Sequence, residues 1–344
     1  MKAILGTTVL SLSALLSTTA FAQDTTFTIN SFGGAYETAH RACIITPFEE
    51  ETGVSVNVVT AYSADAFAQL RAQKDAPQFD VIHFSGGQEI VGAAEGLLAP
   101  IDAASLTNAA DVYDFAKANL AKGEGPAYSI AAIGLIYNTD AVSPAPTQWA
   151  DLLNPEYSEH LVLTDISNGY GMLGFLMLNQ SQGGDLNNIQ PGLDAVAKLL
   201  EAGALIVSTS PEIQQEFAQN DAWIAPYASD YAFTLRKAGL PSGFAQGAEG
   251  TPASYITTNV VAGRPNTDLA LKFVDMSISP EAQECFAEAL RYSPTNSKAE
   301  LSAEVAADVA YGEEGVAGLI RFDPAVIEAN RTAWVEEWNK TIAR

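Results

Sequence analysis

Alternating strand and helix patterns run along most of this sequence and restrict the folds that are open to it. Residues 27–32 and 54–60 have the β-branched and aromatic composition of strands, and residues 35–52 between them carry apolar side chains at helical spacing. A further helix is predicted over 64–74 and a further strand over 79–84. Strand–helix–strand units of this kind favour right-handed crossovers and a mostly parallel, doubly wound sheet.

The alternation is interrupted and then restarts, which predicts two α/β lobes. Residues 128–137 and 255–262 have the composition of long strands, and we expect them to cross between the lobes. The chain has 344 residues, more than the roughly 250–300 at which one hydrophobic core stops growing. Further helices are predicted at 147–153, 172–179, 192–202, 230–238, 268–277, 280–290 and 324–342, and further strands at 161–164 and 222–225.

The start of the chain has the pattern of a secretory signal. Lys2 precedes an apolar run over 3–16, which is too short to span a bilayer, and Ala20-Phe21-Ala22 is the small-x-small pattern of a signal-peptidase site. We therefore expect residues 1–22 to be removed after Ala22 and the protein to act outside the cytoplasm.

The charge balance narrows the choice of partners. The chain has 41 acidic and 17 basic residues and a net charge of −24. Such a surface repels nucleic acid and anionic lipid and favours the approach of a cation, so no nucleic-acid partner is expected. The alternative interpretation is a solvated acidic coat that keeps an exported protein soluble.

The two cysteines are Cys43 and Cys285. In an oxidising compartment an even pair suggests one disulfide that closes a very long loop. Two unrelated buried thiols are the alternative, and the sequence leaves both interpretations open.

Motifs of enzymes and metal sites are scarce. The histidines His40, His83 and His160 have no metal-ligand spacing, so neither a metal nor another cofactor is expected. Residues 83–87 (His-Phe-Ser-Gly-Gly) follow a predicted strand but lack the Gly-x-Ser-x-Gly nucleophile turn. Residues 169–174 match Gly-x-Gly-x-x-Gly mid-chain, away from the first strand. They therefore indicate a helix start that could hold an anionic or carbonyl group rather than a dinucleotide site.

Several separated segments resemble one protein family in their order along the chain. Residues 31–36 (Ser-Phe-Gly-Gly-Ala-Tyr) and 47–54 (Pro-Phe-Glu-Glu-Glu-Thr-Gly-Val) are similar to the opening of the spermidine/putrescine-type periplasmic solute-binding proteins of ABC transporters. The later matching blocks lie at 79–81, 128–138, 147–152, 163–165 and 292–296. The resemblance implies a type II periplasmic binding protein, in which two doubly wound α/β lobes are joined by crossing strands and enclose a ligand cleft.

The same resemblance implies the domain organisation and the role. Lobe one is expected at residues 26–131 plus 258–299 and lobe two at residues 132–257, with the helices of 300–344 packed on the lobes. The family's members act in the periplasm, and a monomer is expected that closes on a small organic amine, or a polyamine-like or zwitterionic solute. It would deliver this solute unchanged to an inner-membrane ABC permease, so no enzymatic activity is expected.

Candidate ligand contacts follow the strands, because open α/β sheets bind small molecules at the carboxyl ends of their strands. By resemblance, Phe32, Tyr36 and Ser85 match family positions, and Tyr227 and Tyr255 fall close to two others. Aromatic faces attract ammonium ions by about 0.5–2 kcal/mol each. The candidate ligand-binding residues are Phe32, Tyr36, Ser85, Gly86, Asp165, Tyr227, Asp230, Tyr255 and Thr257.

The chain departs from the family's polyamine binders at three positions. Ile166, Gly169 and Thr257 stand where the resemblance implies carboxylates. A buried ammonium without a carboxylate partner costs several kcal/mol, which argues against spermidine and putrescine. Asp165 and Asp230 could supply negative charge from other positions, or could instead cap the turn and the helix that follow them.

Two alternatives stay open at this point. If both carboxylates point elsewhere, Arg41, Arg236 or Arg264 and the glycine-rich helix start could serve an anionic phosphonate, carboxylate or opine-like solute. An exported hydrolase on the same scaffold would need a nucleophile and a base in the cleft, for which Ser85 and His83 are the local candidates.

Overall fold

Strands and helices alternate through residues 26–343, the part of the chain that the computed structural model describes. The predicted signal peptide at 1–22 lies outside these described residues. Within them, no helix combines the length and the apolar character needed to cross a membrane.

The strands and α-helices have the following bounds. The strands are β1 (Phe27–Ser31), β2 (Val56–Thr60), β3 (Val81–Phe84), β4 (Ala127–Tyr137), β5 (Val162–Thr164), β6 (Leu205–Val207), β7 (Ile224–Ala228), β8 (Gly243–Ala245) and β9 (Ala253–Val260). The helices are α1 (Gly34–His40), α2 (Thr46–Thr52), α3 (Ser63–Ala72), α4 (Gln88–Ala94), α5 (Asp114–Lys117), α6 (Gly169–Ser181), α7 (Gln190–Glu201), α8 (Ser210–Gln219), α9 (Ser229–Lys237), α10 (Thr267–Ser277), α11 (Pro280–Leu290), α12 (Ala303–Asp308), α13 (Gly312–Ala317) and α14 (Pro324–Ile342).

Two long strands connect the two α/β lobes. The main sheet has the order β2-β1-β3-β9-β4-β7, and β8 also pairs with β4. Residues 127–132 of β4 pair with β9, whereas residues 133–137 pair with β7, so one strand contributes to both lobes. This arrangement confirms the predicted fold class of two lobes joined by crossing strands.

The prediction of a mostly parallel sheet is only partly correct. β1 is parallel to β2 and β3, and β5 is parallel to β6, as strand–helix–strand units require. β9 is antiparallel to both β3 and β4, and β7 is antiparallel to β4. The reason is that the chain leaves the first lobe along β4 and returns along β9, so the two crossing strands must run in opposite directions.

The helical stretch predicted over 35–52 forms in the structure, and each of its segments has buried side chains. It runs as α1, a π-helical segment at Arg41–Ile45 and α2, and it ends at Gly53, whose φ of 70° is the left-handed conformation that suits glycine. A disulfide joins Cys43 in this stretch to Cys285 in α11, with the two Cα atoms 5.5 Å apart. The bond therefore ties the start of the chain to a helix from its last quarter.

Three elements of the second lobe, β6, α8 and β8, are absent from the sequence prediction. β6 has three residues and is largely solvent-facing, so it carries no alternating pattern. α8 begins with a capping box, in which the side chains of Thr209 and Glu212 bond to each other's backbone N–H groups. With Pro211 in the first turn, that motif was a usable start signal.

Candidate functional site

A cavity of about 590 Å³ lies between the lobes, and its walls are formed mainly by residues at the ends of strands and the starts of helices. The turn between β1 and α1, at residues 32–36, and the turn after β3, at residues 85–86, form one side. The starts of α6, α8 and α9 form the other side. This is the location that the switch-point rule predicts for a ligand in open α/β sheets.

Tyrosines from distant parts of the chain form one wall of this cavity. The ring of Tyr227 meets that of Tyr170 at 5.3 Å between centroids and that of Tyr231 at 5.0 Å, in both cases nearly perpendicular. The hydroxyl groups of Tyr170 and Tyr292 lie 3.1 Å apart, which joins the start of α6 to the segment just after α11. Perpendicular aromatic rings offer π faces in several directions, which suits a cationic group.

Asp230 is the buried carboxylate of this wall. It lies in the first turn of α9, is 4% exposed, and its Oδ1 has no hydrogen-bond partner among the described residues. Burial raises the pKa of Asp230 to about 7, although the Tyr292 hydroxyl and the backbone N–H groups of Asp230 and Tyr231 oppose this rise. The site therefore contains a carboxylate oxygen that a ligand N–H can satisfy.

The opposite wall carries a second aromatic group. The Phe32 ring packs 4.7 Å from that of Tyr36 and stacks nearly parallel to that of Tyr62, which is half exposed at the cavity edge. The Tyr36 hydroxyl bonds to the Tyr128 hydroxyl, and burial raises the pKa of Tyr36. Gly33 has φ 75°, and a Cβ atom at this position would lie only 2.9 Å from the Thr60 methyl group. Glycine is therefore required where the chain turns to present Tyr36.

Two of the helix starts that line the cavity, those of α6 and α8, are capped by side chains of the protein itself. Asn168 Oδ1 accepts hydrogen bonds from the backbone N–H groups of Tyr170 and Gly171 at the start of α6. Glu212 accepts from the N–H groups of Ser208 and Thr209, and these bonds lower its pKa. Because these donors are occupied, the starts of α6 and α8 offer little to an anionic ligand.

The arginines considered for an anionic ligand are engaged elsewhere. Arg41 pairs with Glu37, Arg264 pairs with the buried Asp80, and Arg236 pairs with Asp308. None of the three lines the cavity. The arginine that does is Arg331 of α14, which sequence reasoning missed; it pairs with Glu328 and donates to the Gly86 carbonyl.

Six of the nine residues predicted from the sequence line the cavity. Ser85 lies there with its hydroxyl 3.1 Å from that of Ser63. The six are Phe32, Tyr36, Ser85, Gly86, Tyr227 and Asp230.

The other three predicted residues lie outside this lining, each for a local reason. Asp165 accepts from the backbone and hydroxyl of Ser167 and from Trp338 Nε1, so it caps a turn and anchors α14. The Tyr255 ring lies beneath the Arg321 guanidinium, 4.8 Å from its centroid. Thr257 is buried inside β9, where its hydroxyl accepts from Asn259.

Sequence reasoning missed the cavity tyrosines Tyr62, Tyr170, Tyr231 and Tyr292. Tyr292 begins one of the matching blocks, and Tyr170 lies inside the glycine-rich segment, so each had a signal that pointed to the cleft. Tyr231 directly follows Asp230 in the first turn of α9. Their joint position in one wall depends on the packing of the lobes.

Ser85 and His83, the local candidates for a hydrolase, do not form a nucleophile–base pair. His83 is fully buried, its Nδ1 lies 2.9 Å from the carbonyl oxygen of Asn30, and its ring packs against His40. Burial lowers the pKa of His83 to about 4, and the Ser85 hydroxyl bonds to Ser63 instead of to this ring. Among residues 26–343, no group of three or more His, Cys, Asp or Glu side chains is arranged to hold a metal ion.

Comparison with known proteins agrees with this geometry. A family model described as bacterial extracellular solute-binding protein matches residues 44–313. The spermidine/putrescine-binding periplasmic protein of Escherichia coli K12 is 29% identical over 77% of this chain and 78% of its own length. The gamma-aminobutyric acid-binding protein of Pseudomonas aeruginosa is 27% identical over 80% of this chain and 79% of its own. The crystal structure of an ABC transporter from Clostridium perfringens ATCC 13124 superposes with a TM-score of 0.74 at 24% identity, covering 92% of this chain and 99% of that chain.

Proposed function

The chain belongs to the bacterial extracellular solute-binding proteins, and on this premise we propose that it captures a small organic amine in the cleft and delivers it unchanged to an inner-membrane ABC permease. We assign residues 26–131 plus 258–299 to lobe one and residues 132–257 to lobe two, with 300–344 packed on both. The signal at residues 1–22 directs export and is removed after Ala22. A ligand that contacts both lobes stabilises the closed form, which a permease can distinguish from the open form.

The observation that carries this proposal is the unpartnered oxygen of Asp230 within a wall of tyrosines. Oδ1 is buried without a donor among the described residues, although Tyr292 and two backbone N–H groups interact with the rest of the carboxyl group, and an unsatisfied buried polar oxygen is costly. An ammonium group supplies both an N–H donor and a positive charge. The rings of Tyr170 and Tyr231, which line the same wall, can add cation–π attraction to the ligand.

The number of carboxylates favours a ligand with one ammonium group. Asp230 is the buried acidic side chain of the lining, and Asp65 is exposed at its edge. A diamine or triamine would place a further ammonium deep in the cavity without a counter-ion. We therefore rank a monoamine or an amino zwitterion above putrescine and spermidine. Arg331 in the lining is the observation that favours a zwitterion or, as the second candidate, an anionic solute.

A thermal-shift screen tests the proposal. The panel contains γ-aminobutyrate, a simple monoamine, putrescine, spermidine, a phosphonate and a dicarboxylate. An amine at 100 times its dissociation constant is expected to raise the free energy of unfolding by about 2.7 kcal/mol. A shift with the phosphonate or the dicarboxylate and none with any amine contradicts the proposal.

The affinity for an amine is expected to depend on pH. Asp230 binds an ammonium in its ionised form, and in the empty site its pKa is about 7. Below pH 7 the carboxyl group is increasingly protonated, so the affinity should fall by about tenfold per pH unit, while above pH 8 it should level off. Calorimetric titrations between pH 5 and pH 8.5 measure this profile. A dissociation constant that is unchanged from pH 8 to pH 5 would show that Asp230 is not the counter-ion.

A further inference from the structure

A group of charged side chains lies directly behind the ligand cavity, where α9 and α11 meet. At its centre the side chain of Arg291 is 3% exposed, donates from Nε to Asp308 Oδ2 at 3.1 Å and from Nη2 to Glu304 Oε1 at 2.9 Å. Its guanidinium carbon lies 4.1 Å from the centroid of the Phe233 ring. Arg236 donates to the same Asp308 oxygen at 3.2 Å. We refer to these five residues as the Arg291 cluster.

The cluster shares its backbone with the ligand site. Arg291 lies between Leu290 and Tyr292, and both of these neighbours line the cavity. Phe233 and Arg236 belong to α9, the same helix whose first turn carries Asp230. α9 thus faces the cavity at its start and the Arg291 cluster further along. A displacement of the cluster would move Tyr292 or the helix that holds Asp230.

The backbone at Arg291 has a conformation that few side chains adopt. Its φ is 59°, in the left-handed region where glycine usually ends a helix. The side chain of Arg291 compensates locally, because Nη1 donates to the carbonyl of Glu288 at 2.7 Å while the two carboxylates hold the other nitrogens. The hydrogen bonds of the Arg291 side chain therefore fix the direction in which the backbone continues into Tyr292.

The cluster also connects the two lobes. Arg291 belongs to the segment assigned to lobe one, and Phe233 and Arg236 belong to lobe two. Asp308 comes from the C-terminal segment, and one of its oxygens accepts from both arginines. The same junction is where the Tyr292 hydroxyl meets the Tyr170 hydroxyl of lobe two across the cavity.

We infer that Arg291 is a positioning residue for ligand capture, and that the Asp308 carboxylate, shared between Arg291 and Arg236, holds the lobes in the arrangement that brings Tyr292 against Tyr170 and Asp230. This inference rests on the proposed function, because it assigns the junction a part in binding. It predicts that ligand affinity and the distance between the lobes both change when the cluster is weakened at a site that does not touch the ligand.

Arg236→Gln is the decisive variant, because Arg236 is 38% exposed and lies outside the cavity lining, so the protein should still fold. Arg71→Gln is the matched control: Arg71 also forms an exposed arginine–carboxylate pair, with Glu95, but both partners lie within lobe one. Spin labels on unnatural amino acids at exposed Asp75 and Lys198 report the interlobe distance without ligand. Titration with γ-aminobutyrate reports affinity.

Arg236→Gln should lengthen the interlobe distance and weaken γ-aminobutyrate binding by about two- to five-fold, with the difference from wild type disappearing at high salt. Arg71→Gln should change neither. Arg291→Met should weaken binding more than Arg291→Lys, which keeps the charge but loses the planar fork between two carboxylates. An interlobe distance in Arg236→Gln equal to that of the Arg71→Gln control, or a tighter affinity, overturns the inference. If the wild-type protein does not bind γ-aminobutyrate, the proposed ligand is wrong. The interlobe distance still decides whether the Arg291 cluster holds the lobes together.

Discussion

Replacing Asp230 with Asn is expected to lower the affinity for the amine ligand by at least about 100-fold, since removing one partner of a buried charge pair costs roughly 3–5 kcal/mol. Asn has nearly the same shape, so the tyrosine wall should stay in place while the negative charge is lost. The amide would also turn either an N–H group or a neutral oxygen toward the ligand. Calorimetric titration at pH 8.5, where Asp230 is ionised in the wild type, measures the loss.

Asp65→Asn provides the control for this experiment. Asp65 also borders the cavity but is exposed, so solvent screens its charge and the affinity should change little. The thermal stability of the ligand-free Asp230→Asn protein should be at least that of wild type, because the variant no longer buries a carboxylate. An Asp230→Asn protein that binds the amine within tenfold of wild type contradicts the assignment of Asp230 as the counter-ion.

Removing the disulfide is expected to lower the free energy of unfolding by about 2–5 kcal/mol. Cys43 and Cys285 are 242 residues apart in sequence, so their bond restricts a large part of the unfolded chain. It also ties the helical stretch after β1 to α11, which precedes Arg291 and Tyr292. The variant is Cys43→Ala combined with Cys285→Ala, and urea unfolding of the ligand-free protein measures the change.

A thiol assay on the denatured, unreduced wild-type protein accompanies this measurement. It should detect no free thiol, and reduction before unfolding should reproduce the stability of the double variant. Each single alanine variant should lose nearly as much stability as the double variant, because either change removes the bond. Two free thiols in the unreduced wild type, or a double variant as stable as wild type, would contradict this expectation.

Much of the fold follows from local patterns. The β1 to β3 region alternates strand and helix with clear apolar periodicity, and Gly53 marks a helix end with the left-handed conformation that its type suggests. The long strands β4 and β9 were recognisable because most of their residues are β-branched or apolar, which reflects burial on both faces. Their antiparallel direction was not recognisable, because periodicity reports which face is buried and not which strand lies alongside.

Only some residues of the candidate site could be predicted from the sequence. The rule that ligands bind after strands, together with the family resemblance, led to Phe32, Tyr36, Ser85 and Tyr227. Asp230 was named with Asp165 as an alternative source of negative charge. The structure brings these residues except Asp165 to one cavity. The sequence could not distinguish a carboxylate that faces the cavity from one that caps a turn. Thr257 had been chosen by its alignment with a family position, yet it lies in the middle of β9.

By itself the sequence determined the two-lobed α/β architecture, the acidic charge and the supply of aromatic and carboxylate side chains, since each of these is a property of composition or of short-range spacing. It also predicts an export signal at residues 1–22. Only the tertiary structure decided that one Asp230 oxygen finds no partner within residues 26–343, while Asp165 bonds to Trp338. It also decided that Tyr292 meets Tyr170 and that Cys43 bonds to Cys285. These outcomes depend on how segments more than a hundred residues apart pack together, and such packing is set by the whole core rather than by any local pattern.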